Sequence, residues 1–226
     1  MNKIELNKVY CMDCLEGLKL LGDNSVDLIV TDPPYNLNKN FANDNLVEED
    51  FINFLTPIFN ELERVIKPKY SVIIFFDSGK KLPLFWKCLF KSRLKFQKGC
   101  NLYKPNDCSM PHNRTLRTSE VFYICSKTEE LHHEGESYIH DCLIGNHTKK
   151  DKSFYHPTVK NLKITREIIK SHSCKNWIIL DPFMGSGTTA VACKQLGRNF
   201  IGFEISQEYV DICNKRLAQG NIKEWF

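Results

Sequence analysis

Trp177-Ile178-Ile179-Leu180-Asp181-Pro182-Phe183-Met184-Gly185-Ser186-Gly187-Thr188-Thr189 begins as a short apolar strand and ends in what reads as the first turn of a helix. An acid, a proline and two glycines lie between. Glycines at such a turn let the backbone fold sharply and approach a ligand with no Cβ in the way. A second apolar run, residues 199–203, follows and ends at Glu204. Strand, glycine turn, helix and strand make one α/β unit, and the rest of the chain keeps that alternation. Apolar runs at 26–31, 71–76, 99–104, 119–125, 177–180 and 199–203 predict strands, with a weaker one at 8–11. After Glu48, the residues Phe51, Phe54, Leu55, Ile58, Phe59, Leu62, Val65 and Ile66 recur at helical spacing on one face. Pro57 inside that stretch predicts a kink, and Pro68 stops it. Further helices are predicted near 80–91, 158–172, 188–196 and 206–217. The expected architecture is α/β, a mostly parallel sheet covered by helices.

The 226 residues fit one domain, and the 42% hydrophobic content is enough for a sizeable core. A formal charge of +4 permits a polyanionic partner without demanding one. No run of about 18 apolar residues occurs, so no membrane span is expected. The opening Met1-Asn2-Lys3-Ile4-Glu5-Leu6 is too polar for a signal peptide. The ten cysteines are therefore expected to be free thiols in a reducing, cytoplasmic compartment. Cys11 and Cys14 form a C-x-x-C with no second pair at zinc-finger spacing. His132, His133, His140 and Cys142 read as part of a polar surface loop, and no metal site is expected. Two segments look irregular: the Asn-rich stretch 36–45 and the charged, His-containing stretch 127–154.

Asp32-Pro33-Pro34-Tyr35 directly follows the 26–31 strand. A carboxylate at a buried strand end, two rigid residues and an aromatic ring suit one task, the gripping of a planar, amino-bearing base. Downstream, an acid at the position of Glu204 commonly accepts hydrogen bonds from ribose hydroxyls, which implies a nucleoside-bearing cofactor. A full G-x-G-x-x-G is absent, and Asp181 stands where a pyrophosphate would want no negative charge. An acid there prefers a cation, and S-adenosylmethionine supplies one in its ammonium, near a cationic sulfonium. A glycine turn with two ordinary surface acids would explain the downstream segment alone. The two segments together favour the cofactor reading.

These residues resemble the S-adenosylmethionine-dependent DNA amino-methyltransferases. Asp32–Tyr35 matches the family's catalytic D-P-P-Y, and 181–189 matches its cofactor motif. The order, catalytic motif first, resembles the beta group of that family, many of whose members come from restriction-modification systems. Val9-Tyr10-Cys11-Met12-Asp13-Cys14 is similar to the segment whose acid contacts the cofactor's adenine. His156-Pro157-Thr158-Val159-Lys160 is similar to the family's H-P-T-x-K-P, with Asn161 in place of the last proline leaving the following helix start less fixed.

The resemblance implies a Rossmann-like class I methyltransferase fold, a seven-stranded and mostly parallel sheet with one antiparallel strand and flanking helices. Residues 119–125 are the expected antiparallel strand. It implies one domain over 1–226, with target-recognition loops within about 36–50 and 104–155. Asp32, Pro33, Pro34 and Tyr35 are the expected catalytic group. Asp13, Asp32, Lys160, Asp181, Pro182, Phe183, Gly185, Ser186, Gly187, Thr188 and Glu204 are expected to bind S-adenosylmethionine. Lys39, Lys104, Arg114 and Arg117 are expected on phosphates of double-stranded DNA, and His112, Asn113 and Arg114 at base edges. The reaction expected is methylation of adenine N6 in a flipped-out base. Cytosine N4 remains open, as do RNA or a protein amide as substrate and a catalytically silent DNA-binding subunit. The resemblance also allows a homodimer and an accompanying restriction endonuclease.

Overall fold

Runs rich in β-branched and aromatic residues with no polar interruption form the middle of the sheet in the computed structural model, which describes residues 4–37, 43–76, 79–104, 119–131, 134–145 and 160–219. The strands are β1 (Lys8–Cys11), β2 (Leu28–Thr31), β3 (Ser71–Phe76), β4 (Lys95–Tyr103), β5 (Ser119–Ser126), β6 (Cys142–Ile144), β7 (Ile178–Asp181) and β8 (Asn199–Glu204). The helices are α1 (Cys14–Lys19), α2 (Glu48–Val65), α3 (Leu82–Lys91), α4 (Leu162–Ser171), α5 (Thr188–Leu196) and α6 (Gln207–Ala218). One sheet holds the strands in the order β1-β8-β7-β2-β3-β5-β4-β6. β5 runs antiparallel to both its neighbours, and the other pairings are parallel. The antiparallel strand is thus the one expected.

The sheet has eight strands, not seven. The extra one, β6, lies in the stretch read as irregular. It is three residues long, buries only Leu143, and pairs alongside the end of β4. So short a run shows no period. The helix α1 was not expected either. Asp13 caps it by accepting from the N–H groups of Leu15 (2.9 Å) and Glu16 (3.2 Å). The pattern Asp13-x-x-Glu16 carried that signal. Asn161, expected to loosen the start of α4, instead caps it, accepting from the Ile164 N–H at 3.2 Å. α2 runs unbroken through Pro57, whose exposed position leaves the buried stripe of Phe51, Leu55, Ile58, Phe59 and Leu62 intact.

Side chains alternate across the strands and so build two cores. Ile29, Val72, Ile74 and Phe76 pack under α1, α2 and α3. Leu28, Val30, Ile73, Phe75 and Ile179 pack under α4, α5 and α6. Small residues Ala190 and Ala192, fully buried, let α5 lie close against the sheet. No helix among the described residues is long and apolar enough to cross a membrane.

The first core strand starts two residues later than expected because Asp27 has another task. Its Oδ2 accepts from the Ile178 N–H (2.8 Å) and its Oδ1 pairs with Lys67 Nζ (2.5 Å). The side chain is buried and ties the foot of β2 to the foot of β7. Asp27→Ala should lower unfolding free energy by about 1–3 kcal/mol in a urea titration, because it orphans a partly buried N–H and removes the Lys67 pair. An unchanged midpoint would show that the tie contributes nothing.

Candidate active site

β2 and β7 lie side by side, and the chain leaves them in opposite directions. β7 leads to β8 and β1, and β2 leads to β3 and β5. Such a reversal opens a crevice beyond the carboxyl ends of the strands, the usual ligand site of an open α/β sheet. A cavity of about 420 Å³ occupies it, bordered by Asp13, Asp32, Pro33, Pro34, Tyr35, Lys160, Asp181, Pro182, Phe183, Gly185, Ser186, Thr188 and Glu204. The segments around Asp32 and Asp181, far apart in sequence, therefore border one cavity. Gly187 stands just behind it. Its φ of 85° is left-handed, and a Cβ there would collide with Cys213 on α6, so both conformation and space require glycine.

The glycine loop is tied at several points. Asp181 Oδ1 accepts from the Phe183 N–H (3.1 Å), and Oδ2 accepts from the Thr189 hydroxyl (2.6 Å). One carboxylate thus holds both ends of the loop. Glu204 accepts from the Gly185 N–H (2.8 Å) and the Ser206 N–H (2.9 Å). From α6, the buried Arg216 Nη1 donates to the Ser186 carbonyl (2.6 Å) and approaches Ser186 Oγ (3.1 Å). Sequence reasoning missed this arginine, because it looks like any basic residue in the last turn of an amphipathic helix. Burial pushes its guanidinium below the ordinary value. Burial also pushes the Asp181 carboxyl up to about 7, against the Thr189 and Phe183 hydrogen bonds and with Asp32 and Glu204 adding repulsion.

The other wall carries an alternating series of charges. The Tyr35 hydroxyl donates to Asp32 Oδ1. Lys160 Nζ lies 3.2 Å from Asp32 Oδ2, 3.1 Å from the Tyr35 oxygen and 3.3 Å from Glu120 Oε2. The same ammonium sits 5.0 Å from the Phe75 ring centre. Glu120 Oε1 takes Lys104 Nζ at 2.5 Å. Burial raises the Asp32 carboxyl, and Lys160 and Tyr35 oppose that rise. Burial acts against ionised Glu120 too, yet Lys160 and Lys104 hold it down at about 2. Lys160 faces the same desolvation, but Asp32 and Glu120 keep it above its ordinary value. The Tyr35 ring leans on Phe76, 5.0 Å between centres, which fixes the quartet against the core.

Lys104 was expected to face a phosphate. It is 8% exposed, with its ammonium on Glu120. Lys39, His112, Asn113, Arg114 and Arg117 lie outside the described residues. The Asn-rich stretch is described at its ends. Asn36 Nδ2 donates to the Leu46 carbonyl at 2.8 Å, and Leu37, Asn43 and Asp44 border the cavity. Phe54, Glu120, Thr165 and Tyr209 border it as well, and nothing in their local sequence marked them.

A family model described as DNA methylase matches residues 26–215. The DNA adenine methyltransferase YhdJ of Escherichia coli (strain K12) is 31% identical over 239 residues, covering 91% of this chain and 80% of that protein. The solved complex of M1.HpyAVI with SAM is 29% identical, with a TM-score of 0.69, covering 93% of this chain and 98% of that one. PvuII DNA methyltransferase, described as cytosine-N4-specific, is 19% identical and shares the fold at a TM-score of 0.80, covering 96% of this chain and 88% of that one.

In the ligand-free protein, an NMR titration of labelled aspartates should place the Asp181 midpoint near 7. Thr189→Val should move it higher, since the lost hydroxyl favoured the ionised form. The folded state then holds a proton that the unfolded chain releases near pH 4, so this group's contribution to stability falls as pH rises from about 4 to about 7. A midpoint in the ordinary carboxylate range would contradict the burial argument.

Proposed function

We propose that this chain, which belongs to the N6/N4 DNA methylase family, transfers a methyl group from S-adenosylmethionine to the exocyclic N6 of an adenine flipped out of double-stranded DNA. The observation that carries this reading is the single cavity bordered by both Asp32–Tyr35 and the 181–189 loop.

The cavity fits such a cofactor by its chemistry. Asp13, Asp32, Asp44, Glu120, Asp181, Glu204 and Glu208 border it against one lysine, Lys160, which suits a cationic nucleoside and not a pyrophosphate. Thr31 borders it too, and its hydroxyl oxygen is buried with no partner among the described residues. Glu204 would accept from ribose hydroxyls, Asp13 would meet the adenine end and Asp181 the ammonium. Lys160 would meet the carboxylate. Pro182, Phe183, Gly185, Ser186, Gly187 and Thr188 form the bed beneath. The relative solved with SAM supports this assignment.

S-adenosylmethionine supplies an electrophilic methyl on a cationic sulfur. The chain's residues must make an amino nitrogen attack it. That nitrogen is a poor nucleophile because its lone pair is delocalised into the ring. Asp32 accepts one N–H and the Pro33 carbonyl the other, which draws the nitrogen toward a tetrahedral arrangement and frees the lone pair. Each Asp32 oxygen has a second lone pair, so the amino group is accepted beside Tyr35 and Lys160. Pro33 and Pro34 keep the carbonyl rigid, and Tyr35 offers its ring to the base. Pre-orientation of reactants is the larger effect, up to about 7–11 kcal/mol. As the N–C bond forms and the S–C bond breaks, the nitrogen gives up one proton, and Asp32 is the nearest base to receive it before solvent does.

Extrusion of the base costs a few kcal/mol, which Lys39, Arg114 and Arg117 would offset on phosphates while His112 and Asn113 meet base edges. Lys104 is committed to Glu120 and takes no part in this proposal. One domain over 1–226, target loops within about 36–50 and 104–155, a homodimer and an accompanying restriction endonuclease belong to the same reading. Cytosine N4 is the second reading, since the same acceptors serve any exocyclic amino group. Adenine is favoured by the aspartate at the head of the quartet and by the relative named for adenine.

Asp32→Ala should abolish methyl transfer while cofactor affinity survives in calorimetry; lost affinity with normal residual turnover would contradict the assigned role. Asp181→Ala should weaken that affinity by about tenfold to a hundredfold, the range of one or two charge-assisted hydrogen bonds. Unchanged affinity would remove Asp181 from the site. Mass analysis of nucleosides from methylated DNA decides the base: N6-methyl-2′-deoxyadenosine supports the proposal and N4-methyl-2′-deoxycytidine the second reading.

A further inference from the structure

We infer that Glu120 is a positioning residue for Asp32, acting through Lys160: it holds the lysine midway, so that Asp32 is neutralised but not captured. The inference rests on the amino-methylation reading for its kinetic readout and on geometry alone for its spectroscopic one.

The topology explains how Glu120 arrives. β5 is the antiparallel strand, so its beginning, not its end, lies at the edge of the sheet where the crevice opens. Glu120 is the second residue of β5 and pairs in register with Leu102, two residues before Lys104. The reversal of one strand thus delivers an acid, and the parallel end of β4 a base, to the edge that already holds Asp32.

The distances define the function of the acid. Lys160 Nζ is nearly equidistant from Asp32 Oδ2 (3.2 Å) and Glu120 Oε2 (3.3 Å). The groups facing Asp32 are Lys160, the Tyr35 hydroxyl and Glu120 itself, with Asp181 across the cavity. A half-buried carboxylate that must accept an amino N–H is kept ionised by a cation nearby. A cation drawn closer than 3.2 Å would crowd the second lone pair that the substrate's amino group needs. Glu120 draws Lys160 back and prevents that closure. Lys104, on the far oxygen of Glu120 at 2.5 Å, keeps the acid charged for this purpose.

The test compares wild type with Glu120→Gln and the double variant Glu120→Gln/Lys104→Met, the second removing the ammonium that the first leaves buried without its anion. In the ligand-free proteins, the NMR midpoint of the Asp32 carboxyl should fall in both variants, because a repelling charge is gone and Lys160 closes in. With DNA and labelled S-adenosylmethionine, kcat should fall about tenfold to a hundredfold in both, and the acid limb of the kcat profile should move to lower pH. Thermal stability should drop in the single variant and recover in the double. A double variant that regains kcat together with stability would show that Glu120 merely neutralises Lys104, and would overturn the inference. So would an Asp32 midpoint that does not move. Absence of methyl transfer by the wild type would count against the proposed function and leave the titration to decide this point.

Discussion

β2 and β7 pair in parallel through Leu28↔Ile179 and Ile29↔Leu180, and the rest of the site depends on that pairing. The two strands come from opposite ends of the chain, yet their pairing brings the ends that carry Asp32 and Asp181 to the same edge of the sheet. Asp27 secures the register at the opposite edge by accepting from the Ile178 N–H. A slip of one residue would turn every side chain of β2 to the other face. Val30 and Ile29 would then exchange cores, so the two hydrophobic layers enforce the alignment on which the cavity depends.

The crevice is assembled from groups that are costly to bury. Acids outnumber bases around it, and those of the loop side are each held by partners of their own. Asp181 is held by Thr189 and the Phe183 N–H, Glu204 by two backbone N–H groups, and Asp13 by the first turn of α1. Such bonds rigidify the loop and orient its acids before any ligand arrives. On the target side the arrangement differs. Asp32, Lys160 and Glu120 share charge among side chains from three separate parts of the sequence. The loop side is braced mainly by nearby backbone, and the target side by tertiary packing.

That difference explains what could be read in advance. The strands of the core were legible because burial on both faces leaves runs such as Ser71 to Phe76 without polar interruption. The glycine loop was legible because left-handed backbone at Gly187 admits one residue type readily. β6 was not, since three residues show no period and only one is buried. α1 was missed although its cap was visible at Asp13. Lys104 was misplaced because a lysine looks the same in sequence whether it faces a phosphate or a buried carboxylate. Arg216 and Glu120 gave no local sign at all, because their partners lie 30 residues away in one case and 40 in the other.

The sequence by itself determined the α/β class, the position of both motifs and the type of ligand each suits, because periodicity, glycine geometry and residue chemistry are local properties. Only the tertiary structure decided that the two motifs share one cavity and that β5 reverses to bring Glu120 to it. It alone decided that Lys160 stands between two acids and that Lys104 is spent inside the protein. Those outcomes depend on register and on the balance of desolvation against pairing, which is set by distances between residues that the order of the chain does not contain.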